Sequence, residues 1–151
     1  MSVLVDRVSA DLKAAMKGHR ELELSVYRML KAEIQKFQAD KGVSYEIKDD
    51  DVISLVGRLV KQRKEAAEQF KAVGVPERAE QELAEAKVLE AYLPKQLTAE
   101  EVEAIVRATI AEIGASTPRD MGKTMKAVMP KVKGQADGKL VKQIVTRILQ
   151  G

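Results

Sequence analysis

The chain has 151 residues, a net charge of +3 and no cysteine, so it is long enough for one core or two small ones and has no disulfide, thiolate metal site or cysteine nucleophile. The opening MSVLVDRVSADL lacks a basic segment followed by a continuous apolar run, and no stretch approaches the roughly 18 apolar residues of a membrane span. These exclusions lead to the expectation of a cytoplasmic protein with no membrane partner.

Ala, Leu, Val, Ile, Lys, Glu, Gln and Met dominate, a palette of helix formers, and apolar periodicity predicts seven helices and an all-α fold. The first two helices, 2–17 and 20–40, are separated by Gly18 and His19 and should pair through the stripes Leu4, Val8, Leu12, Ala15 and Tyr27, Leu30, Ile34, Phe37. A loop through Gly42 and Ser44 leads to a long third helix. It opens at Asp49, Asp50 and Asp51, where negative charge suits the helix dipole, carries Val52, Leu55, Val56, Leu59, Ala66 and Phe70, and stops at Gly74. Pro76 starts a fourth helix that ends near Tyr92, because Pro94 disfavours helical geometry at Leu93.

Residues 94–97 are read as the boundary between two domains. Residues 1–93 carry sixteen basic against seventeen acidic side chains, and residues 94–151 carry ten against six. The N-terminal domain is then a four-helix unit, and residues 94–151 form a three-helix domain. Its first helix is capped by Thr98 with Glu101 and stopped at Gly114, with Val102, Ile105, Val106, Thr109 and Ile113 facing inward. Its second is capped by Thr117, has Pro118 at its first position and is expected to kink at Pro130 before Gly134. Asp137 caps the last helix, whose stripe is Val141, Ile144, Val145 and Ile148.

Chemistry concentrates in residues 117–141. Met121, Met125, Val128, Met129 and Val132 form an apolar stripe, read mainly as core and otherwise as a flexible partner groove. Residues 119–151 hold eight Lys or Arg against two Asp, an asymmetry that points to an acidic partner such as RNA. Lys123, Lys126, Lys131, Lys133, Lys139 and Lys142 are the candidate phosphate contacts. Arg58, Lys61, Arg63 and Lys64 form a second basic group on the long helix, read as a salt-bridged face or a secondary contact. Aromatic residues are too few for a base-stacking platform, so RNA would be met through phosphates, sugars and shape.

Gly122-Lys123-Thr124 ends like a phosphate-binding P-loop, but the glycine that motif needs five positions earlier is Thr117, and no strand precedes it. Gly122 is read instead as allowing close helix packing. His19 has no carboxylate or hydroxyl relay around it, and the acidic groups Asp49–Asp51 and Glu77, Glu80, Glu82, Glu85 lack the alternation of a calcium loop. No catalytic residue, metal or cofactor is proposed by this inventory.

The blocks Asp11-Leu12-Lys13, Arg28-Met29-Leu30-Lys31-Ala32, Lys61-Gln62-Arg63-Lys64-Glu65, Tyr92-Leu93-Pro94 and Asp120-Met121-Gly122-Lys123, closing with Ala136-Asp137-Gly138-Lys139, run almost the length of the chain. In them the sequence resembles the GatB/YqeY family. Its members are small free-standing proteins or the tail of the B subunit of the tRNA-dependent amidotransferase. The resemblance implies two helical domains, the second similar to a tail that touches the outer corner of tRNA. It also carries the label of a carbon-nitrogen ligase with glutamine as amido donor, which describes that complex and not the tail. The sequence departs from the pattern at Gln135, where arginine is expected, and at Thr124, where valine is usual. A non-catalytic tRNA-associated module is the expected function, with an adaptor docking on amidotransferase, synthetase or ribosomal partners as the alternative.

Overall fold

The computed structural model describes residues 2–151, whose regular elements are seven α-helices and one 3-10 turn, with no strand among the described residues. The chain divides into two compact units, Met1–Leu93 and Pro94–Gly151, and each closes a hydrophobic core of its own.

The first unit contains α1 (Val3–Lys17), α2 (Glu21–Lys41), α3 (Asp49–Ala72) and α4 (Pro76–Glu90). The α1–α2 and α3–α4 pairs form hairpins, and Val8, Val26, Leu30, Val52, Val56 and Leu89 are almost completely buried where the four helices meet. The stripe of α3 departs from expectation in its second half. Val60 and Ala67 are buried, while Ala66 and Phe70 are half-buried. The face that α4 covers therefore lies about one residue further round the helix than the sequence spacing indicates, and Phe70 ends up beneath the Arg78 guanidinium, 4.9 Å from its ring centre.

Two polar clasps close this unit. Ser2 caps α1 by accepting the Val5 N–H at 3.2 Å and donates its own hydroxyl to Asp49, which also accepts the Leu4 N–H at 3.1 Å. The first carboxylate of α3 thus satisfies orphan donors at the start of α1. Asp51 accepts from the Lys48 N–H at 2.9 Å and from the Tyr45 hydroxyl at 2.7 Å. At the other clasp the Tyr92 hydroxyl donates to Asp11, the Arg7 guanidinium lies 4.6 Å from the centre of the Tyr92 ring, and Tyr27 packs edge-on at 6.2 Å. Burial, reinforced by Asp11, pushes the Tyr92 phenol well above its ordinary range and keeps it a donor.

The second unit contains α5 (Ala99–Ile113), the 3-10 turn Pro118–Asp120, α6 (Met121–Val132) and α7 (Gly138–Gln150). Its local punctuation follows the sequence closely. The Thr98 hydroxyl accepts the Glu101 N–H at 3.1 Å, Gly114 ends α5 at φ +69°, where a side chain would be strained, and Asp137 accepts the Lys139 N–H at 3.2 Å. The predicted sixth helix is split, because Thr117 and Pro118 open a 3-10 turn before α6 begins at Met121. Asp120 accepts the Ser116 and Thr117 N–H groups at 2.9 and 3.2 Å and fixes that turn. Pro130 lies in the last turn of α6.

Val102, Val106, Val128, Val132, Val141 and Val145 are fully buried in this core. Leu149 joins them, while Ile148 of the expected stripe is only half-buried. Thr124 is also fully buried, yet its hydroxyl has no hydrogen-bond partner among the described residues. A hydroxyl removed from water without a partner is a net cost that an apolar isostere avoids. Thr124→Val should therefore raise the stability of this unit by about 1 kcal/mol, read as a higher denaturant midpoint with an unchanged slope.

The clasp at Asp49 supplies a second expectation. The Ser2 hydroxyl first, then the Leu4 amide, holds the Asp49 carboxyl below its ordinary range. A carboxylate with a depressed folded-state pKa contributes stability that is present above the unfolded value, about 4, and is lost as pH falls through the folded value. Melting temperatures at pH 7 and pH 3 should accordingly differ less for Asp49→Asn than for the unaltered protein.

Candidate nucleic-acid interface

The basic residues of the second unit fall into two groups, according to the side of their helix on which they stand. Thr124, Val128 and Val132 define the core face of α6, and at about 100° per residue Lys123 and Lys126 project from its opposite side. Both are exposed, as is Lys133 just beyond the helix end. Lys139 and Lys142 are exposed in the opening turns of α7, away from Val141, Ile144 and Val145. Among the described residues none of these five lysines, nor Arg119, forms an ion pair.

Lys131 and Arg147 belong to the other group. The Lys131 ammonium donates to Glu112 at 2.7 Å and to the Thr109 hydroxyl at 3.0 Å, and Thr109 in turn donates to the Ile105 carbonyl at 2.8 Å. Arg147 reaches Glu103 at 3.1 Å, where Arg107 also binds at 2.9 Å. These contacts hold the Glu112 and Glu103 carboxyls below their ordinary range, through hydrogen bonds from Lys131 and Arg107 respectively. Lys131 therefore ties α6 to α5, a role its place in the sequence did not reveal. The Glu103–Arg107 pair was visible at i, i+4 spacing. The Glu112–Lys131 pair spans 19 residues and had no local signal.

The second basic group, on α3, is largely neutralised within its own unit. Arg58 meets Glu33 at 3.6 Å, Arg63 meets Glu82 at 3.7 Å and Glu85 at 3.4 Å, and Lys64 meets Glu90 at 2.8 Å. Only Lys61 of that group is without an ion pair among the described residues. Glu33 and Arg58 also line an open cleft of about 430 Å³ between α2 and α3.

Met121, Met125 and Met129 pack half-buried against the core of the second unit, so the methionine stripe is part of the fold. Gly122 is exposed, and a Cβ built on it meets no atom within 4 Å, so close helix packing is not its role. It stands in the first turn of a helix and not in a phosphate-wrapping loop. Gln135 donates its side-chain amide to the Lys95 carbonyl at 3.2 Å and accepts the Leu97 N–H on its backbone carbonyl at 2.8 Å, while Gln96 donates to the Gly134 carbonyl at 2.8 Å. The residue standing in place of an expected arginine thus fastens the entry strand of chain to the α6–α7 loop. His19 is exposed at φ +52°. No group of three or more His, Cys, Asp or Glu suited to a metal ion occurs among the described residues, and no helix there is long and apolar enough to cross a membrane.

The helical architecture defines an all-α protein, with no strand among the described residues. A family model described as Yqey-like protein matches residues 5–149, and the chain belongs to that family. It is 28% identical over 137 residues to altered inheritance of mitochondria protein 41, a mitochondrial protein of Pyrenophora tritici-repentis, an overlap that covers 89% of this chain and 74% of the relative.

The two groups of cations should separate in a stability measurement. Lys131→Glu places like charges side by side against Glu112 and removes the donor to Thr109, and it should lower the melting temperature. Lys126→Glu, which breaks no contact, should leave it nearly unchanged.

Proposed function

We propose that this protein is a non-catalytic RNA-associated module whose second unit meets the phosphate backbone of a structured RNA, with tRNA as the first substrate to test. The observation that carries this reading is that, among the described residues, Lys126, Lys133, Lys139 and Lys142 form no ion pair and Lys123 stands only within electrostatic reach of Asp120, set against the internal neutralisation of the basic group on α3. Charge not held in ion pairs on one small unit is available for phosphate contacts, which fix affinity and orientation while carrying little sequence information. Similarity to the amidotransferase tail supports the choice of tRNA. The relative's name records a mitochondrial setting and no ligand, so it adds nothing to that choice.

Lys131 leaves the set of direct contacts, because its ammonium is held by Glu112 and Thr109. About four neutralised phosphates would give a log–log salt slope of roughly −3 to −4 on a duplex-like surface. Titration with labelled, deacylated tRNA between 50 and 200 mM salt should yield that slope. The Lys126→Glu, Lys133→Glu double variant should flatten it, and an RNA hairpin of equal charge should bind more weakly than tRNA. A flat response in the unaltered protein would contradict the proposal, and binding equal for both RNAs would limit it to general anion attraction.

A further inference from the structure

Residues 94–97 form no helix, yet three hydrogen bonds fasten them to the α6–α7 loop. The Gln135 side-chain amide donates to the Lys95 carbonyl at 3.2 Å, the Gln96 side-chain amide donates to the Gly134 carbonyl at 2.8 Å, and the Leu97 N–H reaches the Gln135 carbonyl at 2.8 Å. The loop is itself fixed, because the Gln135 and Ala136 N–H groups both donate to the Val132 carbonyl at the end of α6, at 2.8 and 3.2 Å. Both side-chain bonds are exposed to water. A neutral hydrogen bond there adds little net stability, so the larger consequence of the clamp is geometric: it sets where the residues of two irregular segments stand.

Lys95 is one of those residues. It is exposed and forms no ion pair among the described residues, and the clamp holds its backbone against Gln135, two positions from the equally exposed and unpaired Lys133. Lys139 stands at the other end of the same loop, while Asp137, the loop's carboxylate, accepts the Lys139 N–H at 3.2 Å and forms no ion pair. Cations gathered at one loop repel each other, and an anion among them turns that repulsion into attraction. Resting on the RNA reading above, we infer that Lys95 is a further phosphate contact, and that Gln96 and Gln135 are positioning residues that hold it near Lys133 so that the two meet one stretch of the sugar-phosphate chain. A loop ordered before the encounter loses less conformational freedom on binding, which is how a clamp that adds little to stability contributes to affinity.

The test titrates the full chain with deacylated tRNA at several salt concentrations, using Lys95→Ala, Gln135→Ala, the double variant, and Lys61→Ala as a control. Lys61 is likewise exposed and without an ion pair among the described residues, but it lies on α3 of the other unit. Lys95→Ala should weaken binding roughly fivefold and bring the log–log salt slope about one unit closer to zero, and Lys61→Ala should bind normally. Gln135→Ala removes no charge and should melt close to the unaltered protein, yet it should weaken binding roughly threefold, and much less when Lys95 is already alanine. Normal binding by Lys95→Ala, alongside loss on Lys126→Glu, would overturn the inference and leave the RNA reading intact. Equal weakening by Lys95→Ala and Lys61→Ala would refute it too, since the effect would then be general charge attraction. A Gln135→Ala effect of the same size with and without Lys95, accompanied by a lower melting temperature, would reduce the clamp to a structural role. Failure of the unaltered protein to bind tRNA would overturn both readings.

Discussion

Carboxylates on α5 decide which cations of the second unit are free to act on another molecule. Glu103 and Glu112 stand where α7 and α6 approach, and they engage Arg147 and Lys131. Exposed pairs of this kind contribute modestly to stability. Their larger consequence is to sort the basic residues, so that those turned toward α5 become internal ties and those turned away keep their charge. Helix periodicity makes the sorting sharp, because residues on opposite sides of a 3.6-residue helix cannot share one partner.

The first unit shows the opposite distribution. Its acids and bases are nearly equal in number, and α3 alternates with carboxylates from α2 and α4 until little net charge remains. Three of its other acids close hydrogen bonds: Asp49 and Asp51 accept amides at helix starts, and Asp11 accepts from the Tyr92 hydroxyl. A chain with five aromatic residues has few large side chains with which to lock helices together, so valine packing and these polar clasps share that task.

What was legible in the sequence was local. Thr98, Gly114 and Asp137 act through bonds to residues within five positions, and their roles could be read from spacing alone. Apolar periodicity located every helix, with misplacements of one residue where a neighbouring helix chose the buried face, as at Ala67 and Leu149. The contacts that had no local signal were those closed by tertiary packing. Ser2 with Asp49, Thr109 with Lys131, and Gln135 with Lys95 are separated by 47, 22 and 40 residues. The candidate site was accordingly legible as a basic region, while its division into cations held in ion pairs and cations outside them required the positions of Glu103 and Glu112. The methionine stripe, read mainly as core, packs half-buried against the core of the second unit, and Gly122 was misread as a close-packing site because a helical glycine does not by itself show whether a neighbouring helix approaches it.

The most direct test of the account is an amide chemical-shift titration of the labelled chain with deacylated tRNA, which reports every backbone position at once. Perturbations confined to the outer side of α6, the α6–α7 loop with residues 94–97 clamped to it, and the first turns of α7, with α3 silent, are the predicted result. A response centred on Arg58 to Lys64 or on the cleft between α2 and α3, or no response at all, would contradict it.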